Sequence, residues 1–157
     1  MILIMKRAFP ILVFIIWLLA AASPAQAVLG EPAHSVTTDR NSLAALRSAT
    51  TTTHADYVVQ QAESDMVTVR EYISPSGIVF AVAWNGMVNP DLTQLLGSYF
   101  ADYREARCKM PRTYGRSSQQ VKTGRVVVET WGHMRNLQGR AYVPALVPQG
   151  VSIDEIK

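Results

Sequence analysis

Few side chains in this sequence can act as nucleophile, general base or soft metal ligand, because it has three histidines and one cysteine. His133 stands out. It follows Gly132, where bare backbone lets a ligand approach, and Glu129 and Arg140 are near it in the chain. General acid–base work by His133 would need a partner that tunes its proton affinity. The plainer reading is a polar loop residue bonded to a carbonyl. Cys108 sits between Arg107 and Lys109, whose charge favours thiolate. With His133 it supplies the residue types of a Cys–His enzyme, but no nucleophile motif surrounds it. A lone thiol either stays free or links two copies, so self-association through Cys108 is one expectation.

Other chemistries lack their signatures. There is no H-x-H, no H-E-x-x-H and no cysteine pair, so no metal is expected. There is no G-x-S-x-G elbow, no G-x-G-x-x-G and no Walker loop, so no cofactor is expected. Trp84 and Trp131 both fall near strand ends. Exposed there, they would be binding anchors; buried, they would be core.

The first 27 residues differ from the rest. Lys6 and Arg7 precede an uncharged run from Ala8 to Ala22, and Ala25-Gln26-Ala27 ends the segment. This is the three-part pattern of a secretory signal peptide cleaved after Ala27, which touches the inner membrane only in transit. The alternative is an uncleaved anchor, for which the apolar run is short. The formal charge of +3 includes two leader cations, so residues 28–157 carry 13 − 12 = +1. That excess is too small to argue for nucleic acid, and export argues against it. Charge is nonetheless uneven. Residues 104–125 hold seven basic side chains against Glu105, while residues 28–103 hold three basic and eight acidic ones. The basic stretch suits either an anionic partner or a solvated loop that balances the acidic half.

The elements that must position these residues are legible in part. Residues 28–55 read as a loosely structured segment, with a short helix over Ser42–Ala49 and an extended Thr50–Thr53. A single α+β domain then spans residues 56–157. Tyr57–Gln61, Met66–Ile73 and Ile78–Trp84 read as strands. The last is apolar at all seven positions, as in a strand covered on both faces. Ser74-Pro75-Ser76-Gly77 is a turn. The small Ala81 and Ala83 would let a helix approach closely. Asp91 opens a helix to about Arg107, whose Leu92, Leu95, Leu96, Tyr99, Phe100 and Tyr103 form one stripe. Gly97 inside that helix has no reason visible in sequence. Lys122–Thr130 and Gly139–Leu146 read as a second strand pair, separated by a long loop from Trp131 to Gln138. Gly150–Lys157 reads as a short strand or one helical turn capped at Ser152. The expected fold is therefore an antiparallel sheet, as a three-stranded meander, one amphipathic helix and a second strand pair, with the helix on one face.

Val69-Arg70-Glu71-Tyr72, the Gly77–Trp84 strand, Pro90-Asp91-Leu92 and Leu95–Phe100 occur in order, followed by Gly132-His133-Met134, Gly139-Arg140-Ala141 and Pro144. This succession resembles a family of small exported bacterial proteins catalogued only as a domain of unknown function. The Gly86–Pro90 segment departs from the family form, which has a proline soon after the glycine. The resemblance implies a signal peptide and one α+β domain. The family has no established activity, so it supplies no catalytic residue.

The expectation is thus a periplasmic or secreted, non-enzymatic module that binds an envelope protein or ligand. Its surface joins the Asn85–Pro90 loop to the Trp131–Gln138 loop and uses Trp84, Asn85, Trp131, His133, Arg135 and Arg140. A small hydrolase or transferase using His133 is the alternative.

Overall fold

The computed structural model describes residues 28–33, 48–111 and 118–157. The expected leader lies outside them, as do Arg112, Tyr114 and Arg116 of the basic stretch. Seven strands form one antiparallel sheet: β1 (Ser48–Thr53), β2 (Val58–Glu63), β3 (Val67–Ile73), β4 (Val79–Gly86), β5 (Ser118–Lys122), β6 (Val127–His133) and β7 (Asn136–Tyr142). Their spatial order is β1-β2-β3-β4-β7-β6-β5. Class and pairing sense agree with expectation, but the layout does not. Two hairpin-linked runs, β1–β4 and β5–β7, meet at a β4–β7 seam that pairs Ala81 with Tyr142 and Gly86 with Leu137.

Three local causes account for the difference. Thr50–Thr53, read as a connection, is an edge strand paired with Val58–Gln61. Four β-branched residues prefer pleated backbone whether or not they join a sheet, and here they join one. Ser48 and Ala49 of the expected short helix belong to this strand too, and the helix's other positions lie outside the described residues. Next, the expected Lys122–Thr130 strand is broken at Thr123-Gly124-Arg125. The Thr123 hydroxyl accepts from Val126 N at 2.9 Å and from Arg125 N at 3.2 Å, turning the chain. Finally, the long loop is a hairpin. Register continues to His133↔Asn136, leaving only Met134 and Arg135 as turn. Arg135 takes φ 65°, a conformation usually left to glycine or asparagine, so its sequence carries no turn signature.

The connection from central β4 to edge strand β5 must pass over β7 and β6, and it does so as a helix. α1 (Leu92–Leu96) and α2 (Phe100–Lys109) are joined by one 3₁₀ turn over Gly97–Tyr99. The Asp91 carboxylate accepts from Thr93 N at 2.8 Å, capping the start. The stripe is buried as expected. Leu96 and Tyr103 pack with Leu29, Val82, Trp84, Val121, Val126 and Val128, and Leu92, Leu95, Tyr99 and Phe100 surround them.

Gly97 finds its reason here. It holds φ 47°, and a Cβ there would overlap the Val28 side chain. Residues 28–33, part of the stretch read as loose, dock against the fold. Leu29 N donates to Leu95 O at 3.1 Å, and Gly30 N donates to Val79 O at 2.8 Å. Val28 and Leu29 are both buried. The first residues after the expected cleavage site are thus part of the core.

The other face of β4 is covered differently from the expectation. Ala81 and Ala83 meet Tyr57, Tyr72 and Ile156 rather than a helix. Pairing skips from Tyr72↔Ala81 to Ile73↔Val79, which leaves Phe80 as an extra residue. Such a bulge reorients a side chain, and Phe80 joins Tyr57 and Tyr72 at ring separations of 6.2 and 6.3 Å. Past a 3₁₀ turn at Pro144–Leu146, the C-terminal segment closes this face. Ser152 caps a second 3₁₀ turn at Ile153–Glu155, accepting from Asp154 N at 3.3 Å. Helix-like turn rather than strand is therefore the outcome at this end.

One charged residue violates the pattern. Glu71 lies opposite Val82 on the helix-side face and is 9% exposed. Its Oε2 has no hydrogen-bond partner. Burial pushes its carboxyl from the usual 4.5 up to about 7.

Two outcomes follow. Gly97→Ala lowers unfolding free energy by about 2 kcal/mol in denaturant melts, and adding Val28→Ala recovers part of the loss. Glu71 binds its proton more tightly folded than unfolded. Its contribution is therefore fully present below pH 4.5 and lost as pH rises through 7, on the order of 3 kcal/mol in all. Melting temperatures followed between pH 4.5 and 8 fall less in Glu71→Gln than in the parent protein.

Candidate functional site

Directly paired residues in an antiparallel sheet share a face. Gln138 pairs with both Trp131 and Asn85, Arg140 with Glu129 and Ala83, and Asn136 with His133. This places Asn85, Trp131, His133 and Arg140 together on the face opposite the helix. Arg135 stands at the hairpin turn beside them. Trp84 alone of the six expected residues is on the other face. It is 2% exposed and its indole lies over Gly139, where a Cβ would strike the ring. Trp84 is core and presents no surface to a partner.

The shared face is ordered by polar side chains. Trp131 is half-buried, and its indole N–H donates to Gln138 Oε1 at 3.0 Å. Gln138 Nε2 in turn donates to Asn136 Oδ1 at 3.0 Å. The Arg140 guanidinium stands 5.7 Å from the Trp131 ring centroid. The Asn85 Oδ1 is buried without a hydrogen-bond partner. Gln138 is thus the link between two residues the sequence singled out. Its signal was the alternation of Asn136, Gln138 and Arg140, hidden while the segment read as a loop.

Arg140 has a second task. Its side chain is 16% exposed and that of Glu129 is 17%, and Arg140 Nε donates to Glu129 Oε2 at 2.5 Å. Arg140 Nη1 also donates to Ile153 O at 2.6 Å and Ile156 O at 3.3 Å. Arg70 Nη1 reaches Lys157 O at 2.9 Å, and the Tyr72 hydroxyl exchanges hydrogen bonds with Lys157 N and O at 3.0 Å. These contacts tie the C-terminal segment to the sheet. Arg140 is a structural anchor whose flank touches the site.

The His133 side chain is exposed. Glu129, four residues along the same strand and thus about 13 Å away, is already engaged by Arg140 and by Gln120 Nε2 at 2.5 Å. The structure does not assemble the His133–Glu129 pair that acid–base work would need. Cys108 is exposed and free near the end of α2. No group of three or more His, Cys, Asp or Glu is placed to hold a metal among the described residues.

Two further features were not legible as a site. A shallow open cleft of about 210 Å³ lies where the β5 start and the hairpin approach Asn89. Gln119 and Thr130 line it, and Ser118 and Gln138 border it, with Leu137 as its aliphatic wall. In addition, every exposed large hydrophobic side chain among the described residues lies at one end of the sheet: Met66, Met87, Val88 and Met134. Val67 pairs with Gly86 and Gly86 with Leu137, so the three chain reversals carrying them are neighbours. Met87 N donates to Met66 O at 2.8 Å, and Met134 at the hairpin tip is 96% exposed.

Fold and site together describe a small α+β domain with an amide-rich, apolar-tipped end and no assembled cluster of reactive groups among its described residues. The chain belongs to the family described as Protein of unknown function (DUF2844), whose model matches residues 25–156. No curated protein and no solved structure matches it.

Arg140→Met leaves Glu129 and two carbonyls without their cation, so stability falls by about 3 kcal/mol and amide exchange accelerates over residues 153–157. His133→Ala, by contrast, changes stability by less than about 0.5 kcal/mol. Denaturant melts and hydrogen exchange measure both.

Proposed function

We propose that this protein is an exported, non-enzymatic binding module that meets its envelope partner through the end of the sheet formed by the Asn85–Pro90 loop and the β6–β7 hairpin. One observation carries the reading. The exposed large apolar side chains gather at that end rather than scatter. Isolated surface apolar residues need no explanation, but a shared location for Met66, Met87, Val88 and Met134 does. Unbranched methionines adapt to a partner's contour at little steric cost. Around them, Asn85, Trp131, His133 and Arg135 supply hydrogen bonds and charge for orientation.

Export rests on the three-part pattern of residues 1–27. No helix of the described residues is long and apolar enough to cross a membrane. In this reading the functional form is the chain cleaved after Ala27, periplasmic or secreted.

The test is site-specific photo-crosslinking in the native cell, with the reactive residue at Met87 or Met134 and a control at Thr52 on the far edge. Discrete adducts arise from the first two positions and not from the third. A folded His133→Ala/Arg135→Asn protein loses at least half of the adduct. Equal labelling from Thr52, or undiminished adduct from the double variant, overturns the proposal.

A further inference from the structure

We infer that the cleft beside the hairpin takes one ring of a neutral carbohydrate; this rests on the binding reading above and names its ligand class. None of the residues that line the cleft is charged. Asn89, Gln119 and Thr130 carry amides or a hydroxyl, and Ser118 adds a hydroxyl at the rim. Each such group offers a donor and an acceptor together. A sugar hydroxyl is also donor and acceptor at once, so these side chains can pair with a ring's hydroxyls without any ion. A phosphate, carboxylate or ammonium ligand would instead call for an opposite charge in the lining.

The nearest charged pair in the register does not fill that role. Glu129 and Arg140 face the opposite side of the sheet and neutralise each other. Leu137 supplies an aliphatic wall for the C–H face of a ring, and Gly132 adds no side chain above the strand backbone. The volume of about 210 Å³ is below the roughly 300 Å³ at which drug-sized sites begin, so it suits a single ring. The cleft is open, which lets the neighbouring units of a longer glycan continue outward. Along the hairpin they meet the methionine-tipped end, so one polymer can engage both regions.

The test is an NMR titration of the folded protein with the uncharged trimers of N-acetylglucosamine and of glucose, the anionic trimer of galacturonic acid, and an uncharged tetrapeptide. A neutral trimer shifts the backbone amides of Gln119, Thr130 and Gly132 with a dissociation constant on the order of 1 mM. Gln119→Ala with Thr130→Val weakens that binding at least tenfold, while Thr52→Ala on the far edge strand leaves it unchanged. Either substitution must retain the parent spectrum elsewhere. The inference fails if no neutral trimer shifts these amides up to roughly 20 mM. It also fails if the anionic trimer binds more tightly and salt abolishes it, or if the peptide alone binds. Crosslinks from Met87 and Met134 that persist despite a flat sugar titration would sink the ligand class and leave the binding module standing.

Discussion

Everything in this domain follows from the desolvation of β4. Seven consecutive apolar residues cannot leave either side of a strand in water, so the chain must supply two covers of different kinds. One is the α1–α2 rod, whose leucine and aromatic stripe meets Val82 and Trp84. The other is the C-terminal segment, whose Ile156 is fully buried against Ala81, Ala83 and the tyrosines. The two small alanines decide which cover goes where. Their face has room for rings and an irregular backbone segment held by Arg70, Tyr72 and Arg140. Met66, Met87, Val88 and Met134 remain exposed at the end of the sheet that joins the β6–β7 hairpin to the end of β4.

Different physical signals varied in how well they could be read. The helix stripe from Leu92 to Tyr103, its Asp91 cap and the apolar central strand rest on periodicity and capping, which are local, and the structure matches them. Ser74–Gly77 did likewise, with Gly77 at φ 80°. The sheet's extent was not readable. Nothing local distinguishes a Thr-rich connection from an edge strand; the partner β2 makes the difference. The Met134–Arg135 turn is a stronger case. Arg135 holds a left-handed conformation without the usual residue type, and surrounding pairs His133↔Asn136 and Gly132↔Leu137 impose it.

The unmarked β6–β7 turn conceals most of the candidate site as well. Asn85, Trp131, His133 and Arg140 fall on one face because pairing runs on across β4, β7 and β6, whereas the sequence reads Asn85, Trp131 and His133 as loop residues and Arg140 as a strand residue. Trp84 was misplaced for a related reason: being near a strand end says nothing about which face is covered. Gln138 and Thr130 gave no signal, since uncharged polar residues are ordinary on any surface. Only pairing brings Gln138 beside Trp131 and Asn85. Gly97 shows the converse. It looked like a flaw in a helix, and long-range packing against Val28 makes it a requirement.

The seam between β4 and β7 has a consequence for how the polypeptide reaches this state. Its paired residues, such as Ala81 and Tyr142, are far apart in the chain, so loop closure is costly and the join forms late. Until β7 arrives, β1–β4 present an open, greasy border to any neighbouring molecule. Synthesis from the N-terminus delivers that border first and its mate last. During this interval the molecule is vulnerable to clumping, and its yield depends on crowding and on chaperones.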